Sequence, residues 1–411
     1  MTIAPSRRRL GVRIAAVAVA GTTVLALAPA AVAASRPPAA ARSEPRAAGQ
    51  SPGTDLRMDL RGELEALVRQ GGSTAALAEV RDRGRVAWRG TAGTADLALG
   101  DPVRADGRFR TGSVTKTFVA TVVLQLVGEG RVRLDDPIER GLPGEVPGGG
   151  AITVRQLLNH TSGLANYLDD PRFAYRDEAS VRRYLAEGRW IDYRPQQLVD
   201  IANSRPPYFE PGRGWHYSNT NYVLLGMLIE RTTGRTWRQE VSERVLWPLG
   251  LRDTLLPTSD TRVPGPAAHT YAQLPEGPAD ITRLNPSVAD ASGSAISTAG
   301  DLNRFHAALF GGRLLRPAEF AEMTTTVPVA ELHGGYGLGV ARIDTPCGEI
   351  WGHTGDIRGA ESAVFGTRDG SRQFTLSYQA YDRGDPGATD RAYESFVTAA
   401  ACALVARPAS G

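Results

Sequence analysis

Strand-forming signals lie at both ends of this 411-residue chain and are scarce between them. Near the start, 75–81 and 85–91 flank Asp82-Arg83-Gly84 and read as a β-hairpin. Near the end, strands are expected near 336–343, 348–354, 360–366 and 373–380, with a turn at Arg368-Asp369-Gly370 between the last two. The middle, about 130–330, reads as helix and loop, punctuated by Gly and Pro. One unit of two lobes follows, its sheet drawn from both chain ends, with no internal repeat. Leu56, Leu60, Leu64, Leu67 and Val68 recur at helical spacing up to Gly71-Gly72, which predicts a helix over about 57–70. Val114 to Val127 is apolar enough for a buried helix that stops near Gly128, and a last helix over about 388–405 carries Cys402.

The N-terminus has the secretory pattern. Arg7, Arg8, Arg9 and Arg13 precede an apolar stretch from Ile14 to Ala28 and a small-residue cleavage site, Ala31-Val32-Ala33. Residues 1–33 are therefore expected to be a signal peptide, 34–56 a disordered Ala/Pro-rich linker and 57–408 the catalytic domain. Its sheet lobe would take about 57–112 and 330–408, and its helical lobe about 113–329. Cleavage leaves 378 residues and removes four arginines and no acids, so the net charge of +3 becomes −1. That balance argues against a nucleic-acid partner. A secreted or wall-associated monomer is expected, with no stable membrane anchor after cleavage. The six histidines are scattered and two cysteines cannot build a zinc ribbon, so neither a metal nor another cofactor is expected. Export makes Cys347 and Cys402 candidates for a disulfide, with two buried thiols as the alternative.

Of 47 basic residues, 46 are arginine and one is lysine, Lys116. Lysine, unlike arginine, loses its proton readily when buried and can act as a base. It sits in Gly112-Ser113-Val114-Thr115-Lys116, three residues after Ser113 at the start of the expected buried helix. Positions three apart share a helix face, so hydroxyl and amine can touch. A neutral Lys116 would take the Ser113 proton and make a nucleophile. The plain alternative is a helix cap and a surface lysine. A second element is Tyr217-Ser218-Asn219 before an apolar helix. A phenol can relay a proton, and an amide can hold a carbonyl and an N–H together. A third is His353-Thr354-Gly355 in a strand-like stretch, where small residues let a substrate backbone approach.

In this order the three elements resemble the penicillin-recognising serine hydrolases, nearest to the serine D-alanyl-D-alanine carboxypeptidases and class C β-lactamases of the S12 type. Thr153 to Leu164, Ala295 to Leu302 and Gly335-Tyr336-Gly337-Leu338-Gly339 match further. The resemblance covers about 57–405. It implies an α/β (α+β) fold of the β-lactamase/transpeptidase type, with an antiparallel sheet flanked by helices, an all-helical lobe, and the site between. It also implies that Ser113 is acylated, Lys116 is its base and Tyr217 shuttles protons. Asn219, His353, Thr354, Gly355 and Asp356 would bind substrate, and the N–H groups of Ser113 and Asp356 would hold the oxyanion.

The pattern departs from a carboxypeptidase where a terminal carboxylate is bound. Such enzymes usually place Thr after His-Thr-Gly and an arginine just after the Gly-Tyr-Gly-Leu-Gly run. Here Asp356 follows Gly355, and the run continues Val340-Ala341-Arg342, shifting the arginine by one residue. Such a shift points it to the other face of a strand, and an aspartate repels a carboxylate. The leading reading is an exported serine hydrolase, D-alanyl-D-alanine carboxypeptidase-like, acting on a small-molecule or peptide substrate. A β-lactamase, a D-amino-acid amidase or aminopeptidase, or an esterase of the same fold are alternatives. A non-catalytic β-lactam-sensing or wall-binding module is the reading from another class. His160 invites a Ser-His-Asp reading, but its place before Ser162-Gly163 reads as a helix end.

Overall fold

The computed structural model describes residues 52–175, 177–381 and 386–405. The expected signal peptide, 1–33, and most of the expected linker lie outside them. The first helix spans Pro52–Arg69 and begins earlier than its apolar pattern does, so residues 52–56 belong to the helix rather than to the linker. Leu60, Leu64 and Leu67 are each at most 1% exposed. Burying each of these stabilises by about 1.5–3 kcal/mol.

Thirteen strands follow in chain order: β1 (Ala75–Asp82), β2 (Arg85–Asp96), β3 (Asp101–Pro102), β4 (Phe109–Arg110), β5 (Tyr271–Leu274), β6 (Gly277–Asp280), β7 (Ile296–Ser297), β8 (Val327–Val329), β9 (Gly334–Tyr336), β10 (Ala341–Thr345), β11 (Gly348–Ile357), β12 (Ala360–Gly366) and β13 (Arg372–Gln379). Nine make one sheet in the order β3-β2-β1-β13-β12-β11-β10-β9-β8, its named pairs antiparallel. The two chain ends meet inside it, where Ala76 of β1 faces Tyr378 of β13. The single strand expected near 336–343 is instead two. Gly337 N–H donates to Val340 O in a tight reversal, with Gly339 at φ 79°, so β9 ends at Tyr336 and β10 starts at Ala341. The middle of the chain is mostly helical and also carries the ribbons β5–β6 and β4–β7.

One face of the sheet packs on the first helix and the last, Pro386–Val405, through Leu60, Leu64, Phe374, Leu376, Phe396 and Leu404. Cys347, in the β10–β11 turn, is disulfide-bonded to Cys402 of the last helix with Cα atoms 5.0 Å apart. The other face meets the helical lobe around the helix Thr115–Gly128. That helix is apolar nearly all round, which suits a buried element. Phe118 stacks on Phe305 of the helix Ala299–Phe310 at 3.9 Å. Asn303 of the latter donates to the backbone O and Oε1 of Glu79 on β1 and accepts from Thr375 of β13. Burial alone would raise the Glu79 pKa, but hydrogen bonds from Arg81 and Arg89 outweigh it and hold this carboxyl below its ordinary value.

Candidate active site

Ser113 lies in a single 3-10 turn, Gly112–Val114, that runs straight into the helix Thr115–Gly128. Neither end of that junction uses a side-chain cap, so the Ser113 hydroxyl is not spent on capping. Lys116 is 0% exposed and therefore no surface lysine. Its Nζ lies 3.0 Å from Ser113 Oγ, 2.7 Å from Asn219 Oδ1 and 2.7 Å from the Ser292 carbonyl oxygen. Burial pushes its pKa well below the ordinary lysine value. A neutral amine has two N–H donors and one lone pair. Two of the three neighbours are carbonyl oxygens, which can only accept. They consume both N–H groups, so the lone pair is left facing Ser113 Oγ, whose O–H donates to it. This is the arrangement a general base needs.

Tyr217 and Asn219 flank Ser218, which precedes the helix Asn219–Thr233. Buried His160, in the left-handed region at φ 63°, grips the backbone on both sides of Tyr217. Its carbonyl accepts from His216 N–H at 3.1 Å and its Nδ1 from Ser218 N–H at 3.2 Å. Its ring packs 4.2 Å from that of Tyr217. Burial holds His160 neutral. Burial drives the Tyr217 pKa far up, partly offset by the nearby Ser113 side chain, although its hydroxyl makes no well-formed hydrogen bond. Tyr217 is thus a neutral phenol, able to give a proton and take one back. Lys116 Nζ sits 4.8 Å from the centre of its ring. Asn166 Oδ1 accepts from the backbone N–H and Nδ2 of Asn219, which turns Asn219 Oδ1 toward Lys116.

His353, Thr354, Gly355 and Asp356 lie on β11. β10 pairs with this strand only as far as Gly352, while β12 follows its other edge to Ile357. The open edge after Gly352 is where Ser113 is presented. A methyl group on Gly112 would lie 2.6 Å from Asp356 N and one on Gly355 only 1.9 Å from Thr111 O. Gly112 also takes φ 49°. The absence of a side chain there brings the Ser113 turn and the Asp356 amide together. His353 is buried, its Nε2 is 2.8 Å from the Tyr336 hydroxyl, and its Nδ1 meets Thr354 O. The carbonyl can only accept, so Nδ1 carries the proton and Nε2 accepts from Tyr336. Burial holds His353 down to about 3, so it lines the site as a neutral ring.

Ala341, rather than an arginine, joins Tyr217, Tyr336 and Trp215 in a buried cluster. Arg342 turns to Asp344, with Nη2 3.2 Å from its carboxylate. Sequence reasoning missed Asn166 and Ser292 and gave His160 only a helix-end role. A buried helix terminus preceding a small-residue turn was the one available signal for His160. Among the described residues, no group of three or more His, Cys, Asp or Glu could hold a metal ion.

A family model described as beta-lactamase matches residues 60–396. Esterase EstB of Burkholderia gladioli is 38% identical over 189 residues, which are 43% of this chain and 46% of the esterase. Penicillin-binding protein 4* of Bacillus subtilis (strain 168) is 31% identical over 173 residues, 42% of this chain and 35% of that protein. The chain thus spans about half or less of the length of these curated relatives. Two solved structures match over nearly their full length. A D-stereospecific amidohydrolase from Streptomyces sp. has a TM-score of 0.73 at 43% identity, covering 82% of this chain and 98% of its own. A D-amino acid amidase from Ochrobactrum anthropi SV3, complexed with L-phenylalanine amide, has a TM-score of 0.72 at 28% identity, covering 84% and 98%.

Proposed function

The chain belongs to the beta-lactamase family and is a serine hydrolase; from that premise we propose that it acylates Ser113 and hydrolyses D-amino-acid amides or esters rather than D-alanyl-D-alanine carboxypeptidase substrates. The observation that carries the reading is Lys116, buried beside Ser113 with both N–H groups consumed by carbonyls. As Ser113 Oγ attacks the substrate carbonyl, its proton passes to Lys116 Nζ. The carbonyl oxygen becomes an oxyanion facing the N–H groups of Ser113 and Asp356, each donor worth about 3 kcal/mol. Tyr217 gives its proton to the departing nitrogen or oxygen and is reprotonated from Lys116. The ester on Ser113 is then attacked by water, with the proton path reversed.

The substrate preference rests on charge. At the leaving-group end Ala341 offers no cation beside Tyr217 and Arg342 is engaged with Asp344, so a terminal carboxylate finds no partner there and an amide or ester needs none. Asp356, on the acyl side of β11, adds a negative group that suits an amine. The likeness to the Streptomyces amidohydrolase supports the same direction. Export is also part of this proposal, supported by the pattern in residues 1–33 and by the disulfide. Among the described residues no helix is long and apolar enough to cross a membrane.

Intact mass after exposure to an activated D-amino-acid ester tests the acylation. An adduct is expected on the wild type and not on Ser113→Ala, and its absence from both defeats the enzyme reading. Steady-state rates on D-phenylalanine amide, a D-alanyl-D-alanine peptide and that peptide's C-terminal amide test the preference. A clear preference for the free carboxylate overturns it.

A further inference from the structure

The position of the proton donor gives the direction in which a substrate lies. Tyr217 clusters with Ala341 and Tyr336, and Tyr336 reaches His353. A leaving group protonated by Tyr217 therefore departs at this end. The acyl part runs the other way, along β11 past Asp356 and Ile357. On that side the stretch from Asn166 to Phe173 touches Asn219 at one end and Arg358 at the other. Tyr167 of this stretch donates to Val288 O at 2.6 Å.

This stretch meets the end of β11 two residues beyond Asp356. Arg358 opens the tight turn from β11 to β12, in the left-handed region at φ 49°. Its Nη2 donates to Phe173 O at 3.0 Å. Its guanidinium lies 5.0 Å from the ring centres of both Tyr175 and Tyr184. Those rings meet edge to face at 5.2 Å, and their buried hydroxyls have no hydrogen-bond partner. The tyrosines are thus placed for their faces, which attract a cation, and not for their hydroxyls. A strand rises roughly 3.3 Å per residue, so the bridge stands about 7 Å past Asp356.

We infer that the Arg358 bridge to Phe173, Tyr175 and Tyr184 closes the acyl end of the cleft and limits the acyl group to about one amino-acid residue. The inference rests on the serine-hydrolase reading above and adds a length limit to it. Amides and esters of single amino acids fit, and peptides extended on the acyl side meet the bridge.

The test compares kcat/KM on a D-amino-acid p-nitroanilide with that on an N-acetylated dipeptidyl p-nitroanilide ending in the same residue. The wild type is expected to favour the short substrate by at least about 100-fold. Arg358→Asn tolerates the left-handed backbone and removes the cation, so it should narrow the ratio at least about tenfold by gaining on the long substrate. Tyr175→Leu should narrow it as well, and serves if Arg358→Asn does not fold. Comparable wild-type rates on both substrates overturn the length limit. A large ratio unchanged in both variants overturns the role of the bridge. Failure of every donor, short or long, to label Ser113 overturns the hydrolase reading itself, and the limit with it.

Discussion

In the proposed mechanism Lys116 matters because it is uncharged. Its neighbours spend its two hydrogens on oxygens that cannot give one back, so its lone pair has one direction left. Lys116→Arg keeps a cation but supplies no neutral amine, and should slow Ser113 acylation by at least about 10³-fold, read by mass or burst kinetics. The acid limb of wild-type kcat/KM should lie well below the ordinary lysine range, since burial lowers the pKa. A limb near an ordinary lysine value would refute the assignment. The contact of Ser113 with Lys116 was legible because three residues of spacing at a helix start already fix it. The placing of Tyr217 and Asn219 at the start of a helix was legible for a similar local reason. Asn166 and Ser292 were not, since they reach the site from 53 and 176 residues away through one side-chain amide and one carbonyl. Neither carries a local signal. His160 was visible as a residue, but its grip on Tyr217 depends on a tertiary contact that no spacing encodes.

At the scale of elements, the disulfide joins the last helix to the sheet. Cys347 and Cys402 are 55 residues apart, and in the chain-entropy model a closure of that size stabilises by about 4 kcal/mol. A Cys347→Ser, Cys402→Ser double variant should lose about that much in urea denaturation. Unchanged stability would show that packing of the last helix alone suffices. The β1–β2 hairpin, β12, β13 and the first and last helices were readable from periodicity and turn residues. The run 336–343 was misread as one strand, because its apolar residues alternate well enough for a strand. The deciding facts are tertiary. A methyl group on Gly339 would lie 2.4 Å from the Ala120 Cβ, and the chain must reverse there to let the helix Thr115–Gly128 approach. The ribbons β4–β7 and β5–β6 are too short to leave a period.

For the whole molecule, buried neutral histidines set the response to acid. Burial holds His306 at about 4 and His353 at about 3. In the unfolded chain histidine titrates near about 6.5. Between those values the unfolded state takes up protons that the folded state refuses, so stability falls as pH drops. Each such histidine adds about 1.4 kcal/mol per pH unit to the slope. Urea denaturation at pH steps from about 6.5 to 4.5 should show a shallower slope for His306→Gln. An identical slope would mean that His306 is charged in the fold. Because β1 pairs with β13, the ribosome releases β1 about 300 residues before its partner. At about 20 residues per second, that is a wait of roughly 15 s. Ser113 lies in the first third of the polypeptide, yet the edge of β11 beside it is made near the end. On the proposed mechanism, a chain stalled or truncated before β11 would carry its nucleophile and base but no finished site, so hydrolytic competence would mark complete synthesis.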